Sequence, residues 1–330
     1  MAPTRMPGLP KAELGSSFPA MLGAEAADRS LRRRLTNDLR GAIGRGEMAL
    51  VYQPRINLAD GSMAGAEALL RWTHPIHGAI PPMTFIPLAE ASDLILRLGG
   101  WVLRQATREA AGWPAVAGTV SVNVSARQID TGLLSSQVAA ALADSGLPPA
   151  RLELELTESL ALDDPPETLE LLGSLRAAGI GLALDDFGTG YGSLARLRRL
   201  PFTALKLDRS FLRRIPADAE DVAVLRAVQG LAVALGLRLV AEGVEQEAQY
   251  RVLVELGCAE AQGWLFGRPV PPEVLRQRWS PRIPAMAGGD LALRGESPVA
   301  KPACLIPSPS PARSGSSSSG SPSSVPALPD

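Results

Sequence analysis

Acidic side chains fall at costly places in this sequence. Glu67 interrupts an apolar run, Glu153 and Glu155 lie inside another with Glu158 just beyond, and Asp185 and Asp186 directly follow the run 181–184. Glu242 and Glu245 follow the run 237–240, and Asn123 stands within 120–124. Taken singly, each acid reads as a cap, a surface group or a strand-end ion pair. Crowded together at segment ends, they would repel one another and lose hydration, and a cation among them relieves both costs. The available donors are carboxylate and amide oxygens; Cys258 and Cys304 lie elsewhere, and His74 and His77 share one loop. Such a set favours Mg²⁺ or Mn²⁺ over Zn²⁺ or copper. The adjacent Asp185 and Asp186 would let one carboxylate bridge two ions while the other binds one, and two ions are a device for in-line attack on a phosphodiester. Lys206, the only lysine between residues 12 and 300, sits in the apolar run 204–207. A lysine there needs partners, and the acids supply them; it could also orient the attacking water.

The elements that must position these residues form an alternating pattern. Apolar runs at 50–56, 64–72, 120–124, 152–156, 181–184, 204–207, 237–240 and 261–265 read as strands, several nearly continuous in Val, Leu, Ile and Ala, as strands buried on both faces are. Helical spacing lies between them: Leu169, Leu172 and Leu175 before Gly179, and Leu225, Val228, Ala232 and Leu235 before Gly236. An earlier helix is expected from Asp28, with Leu31, Leu35, Leu39 and Ile43 on one face and Gly44 and Gly46 at its end. Eight strands alternating with helices predict an α/β chain folded as a (β/α)8 TIM-like barrel, whose strand C-termini converge on one face. Asp60-Gly61 between the first two runs signals a hairpin, so the first strand is expected to run antiparallel. The domain is expected over 28–280, after a disordered leader at 1–27 and before a disordered Ser/Pro/Gly-rich tail at 281–330.

Composition narrows the function. The 330 residues are 46% hydrophobic and 20% charged with a formal net charge of −1, which suits a globular core and argues against duplex DNA as a partner. Two distant cysteines point to a reducing, cytoplasmic setting, and no uninterrupted apolar stretch predicts a signal sequence or a membrane span. The stretch 187–192 is Gly-rich but lacks the GK[ST] of a phosphate-binding loop, and reads instead as a mobile loop beside the metal site. His74-Pro75-Ile76-His77 reads as a turn, and Trp101, Trp113 and Trp279 as helix packing.

Nine blocks occur in the order of a known family. They are Tyr52-Gln53-Pro54, Glu67-Ala68-Leu69-Leu70-Arg71-Trp72, Phe85-Ile86-Pro87-Leu88-Ala89-Glu90, Val122-Asn123-Val124-Ser125 and Glu153-Leu154-Glu155-Leu156-Thr157-Glu158-Ser159. Then follow Asp185-Asp186-Phe187-Gly188-Thr189-Gly190-Tyr191, Lys206-Leu207-Asp208-Arg209-Ser210-Phe211, Ala241-Glu242-Gly243-Val244-Glu245 and Gln262-Gly263-Trp264-Leu265-Phe266-Gly267-Arg268-Pro269. From about Thr36 to Leu275 the chain resembles EAL-domain cyclic di-GMP phosphodiesterases. The resemblance implies hydrolysis of cyclic di-GMP to linear pGpG with two Mg²⁺ or Mn²⁺ ions. By it, Glu67, Asn123, Glu155 and Asp185 hold one metal, and Asp185, Asp186 and Glu242 the second. Lys206 and Glu242 match the catalytic pair. Gln53, Leu69, Arg71, Asp208, Glu245 and Gln262 match positions at the substrate, and Glu158 matches a residue that steadies the loop after Asp186. That loop implies a homodimer, and the lack of a visible sensory or cyclase segment implies input from a separate protein. Gly192, Trp264, Ala259 and Gln246 stand where the family usually has Ser, Tyr, Asp and Thr; none removes a ligand. The rival expectation is a catalytically inactive EAL domain that binds cyclic di-GMP or a protein.

Overall fold

The computed structural model describes residues 18–114, 118–157, 166–188 and 197–278, with side chains from residue 30 onward. Glu158, the stretch 189–196 with Gly192, Trp279 and the tail 281–330 lie outside the described residues. Of two units, Met1–Met286 and Ala287–Asp330, the second lies there entirely.

Helix α1 (Phe18–Ala42) begins before Asp28, so residues 18–27, read from composition as leader, are helical. They include Met, Leu, Ala and Glu, all strong helix formers, and Pro19 falls in the first turn, where its missing N–H costs nothing. Leu35, Leu39 and Ala42 pack inward, whereas Leu31, placed on the same face by its spacing, remains 42% exposed.

Among the described residues nine strands form the sheet: β1 (Met48–Asn57), β2 (Met63–His74), β3 (Gly78–Ile80), β4 (Thr119–Val124), β5 (Leu152–Thr157), β6 (Gly181–Phe187), β7 (Ala204–Leu207), β8 (Arg238–Ala241) and β9 (Glu260–Gln262). Their order, β1-β9-β8-β7-β6-β5-β4-β2-β3 with β1 also paired to β2, closes eight of them into a barrel and leaves β3 as a short hairpin on β2. Strand β1 is antiparallel to both its neighbours, and from β2 through β4 to β9 the barrel pairings are parallel. The hairpin through Asp60-Gly61 imposes this reversal, because a short connection can only return the chain antiparallel.

Strand alternation sorts the side chains. Leu152, Leu154, Leu156, Leu182, Leu184, Leu205, Leu207 and Leu239 are all buried in one large cluster that also takes in Leu134, Val138, Leu172, Leu175, Leu225 and Leu253 from the surrounding helices. The residues between them, Glu153, Glu155, Ala183, Asp185, Ala204, Lys206 and Val240, face the barrel interior. After α2 (Pro82–Glu90), α3 (Leu94–Ala111) and α4 (Ala126–Asp130), the helices supplying that cluster include α5 (Leu134–Ser145), α6 (Pro166–Ala177), α7 (Ala219–Ala234) and α8 (Glu247–Glu255). Among the described residues no helix is long and apolar enough to cross a membrane.

The last expected strand, 261–265, ends at Gln262 instead. At Gly263 a Cβ would fall 2.1 Å from the Val244 carbonyl oxygen, so the chain passes against the segment after β8. The Val244 N–H donates to Gln262 C=O and the Leu265 N–H to Val244 C=O, replacing the ladder with a tight crossing.

Candidate active site

At the C-terminal mouth of the barrel, register brings the acids together. Gln53 pairs with Glu67 across β1 and β2, Asn123 with Glu155 across β4 and β5, and Thr157 with Asp185 across β5 and β6. Lys206 Nζ lies 2.7 Å from Glu155 Oε2, 2.7 Å from Glu242 Oε1 and 3.1 Å from Asp185 Oδ2. Glu67 is held by two amides: Asn123 Nδ2 donates to Oε1 at 2.7 Å and Gln262 Nε2 to Oε2 at 2.6 Å. Gln262 also reaches Gln53 Oε1 at 3.3 Å, and Gln53 Nε2 donates to Gly267 C=O at 3.3 Å, tying β1 to the segment after β9. Asp186 adopts φ 56°, with its N–H donating to Asp185 Oδ1 at 2.9 Å. That left-handed backbone is costly for a non-glycine residue and persists where surrounding structure imposes it.

Three carboxylates, Glu155, Asp185 and Glu242, thus share one ammonium, and Glu67 lies close enough to feel its charge. Burial lifts the Glu155 carboxyl well above the usual range; Lys206 opposes this, and Glu67, Asp185 and Glu242 add to it. Burial likewise pushes Glu242 up to about 7 despite Lys206 beside it. Glu67 goes the other way: burial disfavours its charge, but Lys206 and the amides of Gln262 and Asn123 outweigh it and hold it low. Burial lowers the proton affinity of Lys206, and the Glu155 and Glu242 carboxylates more than compensate, so the ammonium stays charged. Burial and the neighbouring Asp185 raise Asp186.

The donor set fits a hard divalent cation. Glu155 Oε1 is buried with no hydrogen-bond partner, the acids grouped there outnumber the one ammonium among them, and Glu67, Asn123, Glu155, Asp185, Glu242, Gln53 and Gln262 all offer side-chain oxygen. Among the described residues no three His, Cys, Asp or Glu side chains already stand as a ligand shell, since Lys206 lies at their centre.

The other sequence-predicted residues distribute around this centre. Leu69 and Arg71 follow Glu67 on β2; Arg71 is half-buried and its guanidinium reaches the Leu70 carbonyl at 2.9 Å. Asp208 caps the 3₁₀ turn Arg209–Leu212, accepting from Ser210 N–H at 2.9 Å, and Glu245 is exposed beyond β8. Glu153, grouped with these acids by sequence, belongs elsewhere. It faces the interior two residues below Glu155, 2.5 Å from Arg55 Nη1 and paired with Arg238. Arg238 also pairs with Glu260, which lies 2.7 Å from Arg55 Nε, and Ser121 Oγ donates to Glu153 at 3.0 Å. Sequence reasoning missed Arg55 and Arg238, although the argument applied to Lys206, a cation inside an apolar run, was available for Arg55. His74 is buried at the turn as expected; its Nδ1 accepts from Ile76 N–H at 3.1 Å and its Nε2 faces Asp38.

The EAL domain family model matches residues 36–269. A bifunctional diguanylate cyclase/cyclic di-GMP phosphodiesterase, MucR of Pseudomonas aeruginosa, is 44% identical over 261 residues, covering 78% of this chain and 38% of that protein. The cyclic di-GMP phosphodiesterase NbdA of the same organism is 43% identical over 249 residues, covering 74% of this chain and 32% of that protein. The chain thus spans roughly a third of the length of these relatives. The solved phosphodiesterase of MucR in complex with c-di-GMP superposes with a TM-score of 0.70 at 45% identity, over 73% of this chain and 99% of that one. The EAL domain of Mycobacterium smegmatis DcpA gives a TM-score of 0.62 at 35% identity, over 72% and 99%.

Proposed function

Because this chain belongs to the EAL domain family, we propose that it is a divalent-metal-dependent phosphodiesterase that hydrolyses cyclic di-GMP to linear pGpG. One observation carries the reading: at the barrel mouth three carboxylates, with Glu67 beside them, surround a single buried ammonium, and one of their oxygens, Glu155 Oε1, has no hydrogen-bond partner. Glu67, Asn123, Glu155 and Asp185 would hold one ion, and Asp185, Asp186 and Glu242 a second. When bound, the ions supply Lewis-acid activation of water and neutralise charge developing on the phosphodiester.

The chain's own residues account for proton handling and orientation. Glu242, at the barrel mouth with Oε1 held beside Lys206, is the carboxylate placed to take a proton from the attacking water. Lys206 fixes Glu242 Oε1 at 2.7 Å and is itself locked by Glu155, so it can orient the nucleophile without losing its own proton. Attack of the water oxygen on phosphorus breaks the bond to the leaving ribose oxygen, and the proton that Glu242 took from the water passes to that oxygen, directly or through solvent, which restores the Glu242 carboxylate. Gln53, Leu69, Arg71, Asp208, Glu245 and Gln262 flank this centre as substrate contacts. The reading carries with it a cytoplasmic location and a homodimer.

The test is direct. Purified protein incubated with cyclic di-GMP and Mg²⁺ or Mn²⁺ is expected to release pGpG, and chelation to stop it. Tight binding without turnover in either ion would replace this reading with the non-hydrolysing one.

A further inference from the structure

Past the ends of β7 and β8 the backbone ladder stops. Its last rungs are Leu207 opposite Ala241 and the bond from Glu242 N–H to Leu207 C=O at 3.0 Å. Beyond them, one strand runs into the turn Arg209–Leu212 and the other into the segment 243–246. Two contacts join these segments. At Gly243, φ +69°, an added Cβ would fall 2.4 Å from Arg209 Cβ, so the chains meet with no side chain between them. The second contact is Gln249, buried in the first turn of α8. Its Oε1 accepts from the N–H groups of Glu245 and Gln246, each at 2.9 Å, and its Nε2 donates to the Leu212 carbonyl at 2.8 Å.

We propose that Gln249 is a positioning residue for the hydrolysis proposed above, clamping the turn after β7 to the segment after β8. The inference rests on that activity. Lys206 and Glu242 leave neighbouring strands, and their continuations are joined again by one amide only a few residues later. The clamp therefore closes a short ring through Asp208, Leu212, Glu245 and Glu242. Displacements on the order of 1 Å in such a ring are costly to turnover. Helix capping explains only half of what Gln249 does. Gln246 and Gln249 form a capping box, which requires the Oε1 side of the amide. The bond to Leu212 runs to a different segment, and the cap gains nothing from it.

Two variants separate the roles. Gln249→Glu keeps the acceptor and is a favoured capping-box residue, but its carboxylate cannot donate to Leu212. Gln249→Met removes both ends at similar volume. Each is assayed with cyclic di-GMP and Mn²⁺ well below its Tm, with rates expressed per folded molecule. In both, kcat is expected to fall about tenfold, the upper range for loss of one buried hydrogen bond, with a smaller change in KM. A Gln249→Glu protein with wild-type kcat and KM, whatever its Tm, reduces Gln249 to a cap and overturns the inference. Should Gln249→Glu not fold, Gln249→Met decides: a wild-type kcat overturns the clamp and a tenfold loss supports it. A wild-type chain that leaves cyclic di-GMP intact overturns the proposed activity and the clamp together. An active wild type beside unaffected variants overturns the clamp alone.

Discussion

At the floor of the barrel Arg55 and Arg238 meet Glu153 and Glu260, while at the mouth one ammonium, Lys206, meets Glu155, Asp185 and Glu242, with Glu67 beside them. Both layers are buried and ionic, and they stand two residues apart along β5. The floor is balanced: Arg55 and Arg238 outweigh the cost of burial and hold Glu153 down at about 2. The mouth is not, and there burial and like charge push Glu242 up to about 7 and Glu155 well above its usual range. A balanced network does structural work, whereas an excess of one sign is tolerated where something of the opposite sign must bind.

The comparison breaks most sharply through activity at the mouth. Lys206→Met or Glu67→Ala is expected to lower kcat by a factor on the order of a hundred or more while the barrel still folds, the scale for losing a positioned catalytic or charge-stabilising group. Titrating Mn²⁺ against Lys206→Met checks the assignment: recovery of kcat at high metal would reduce Lys206 to a charge-balancing role. Near-normal hydrolysis by Glu67→Ala in saturating Mg²⁺ would remove Glu67 from the ligands.

At the floor the expected effect moves to stability. Glu153→Ala leaves two arginines short of a buried partner and should cost about 3–5 kcal/mol, read as a Tm lowered by about 10 °C. Its kcat at 25 °C, per folded molecule, should stay near wild type. A Glu153→Ala protein that melts normally but loses turnover would make the two layers one site.

The pH dependence of stability should have opposite signs at the two ends. Glu153 is depressed in the fold, so its contribution is present above the unfolded carboxyl value and is lost as pH falls toward about 2. Glu242 is raised, so the folded chain holds the extra proton, and stability falls as pH rises from the unfolded carboxyl value through about 7. Metal-free protein melted from pH 5 to 8 should therefore lose Tm, and Glu242→Gln should make that slope shallower, with Glu155, also raised, supplying the remainder. An unchanged slope in the variant would remove Glu242 as its source.

The smallest effect is expected from the C-terminus. Truncation after Arg282 should leave both Tm and kcat unchanged, because every motif lies upstream. A truncated chain that folds but no longer hydrolyses would give the tail a part in the site.

Much of the mouth was legible because charge inside an apolar strand is costly anywhere. Glu67, Glu155 and Lys206 stood out for that reason, Asp185 and Glu242 because they close such runs, and Asn123 as an amide within one, and the structure brings them together. Glu153 stood out equally and belongs to the floor, since a strand's period of two places it and Glu155 on the same face and leaves their depths unsorted. Gln249 carried no such signal, because an amide near a helix start is common.

The sequence by itself determined the donor chemistry, the alternation that makes a barrel, and the reversed first strand signalled by Asp60-Gly61. These depend on local composition, periodicity and turn geometry. Only the tertiary structure decided which acid meets which cation, where β9 ends against Val244, and that one layer is neutral while the other is not. The cost of a buried charge depends on what lies within a few ångströms of it, and in a closed barrel those neighbours arrive from strands far apart in the chain.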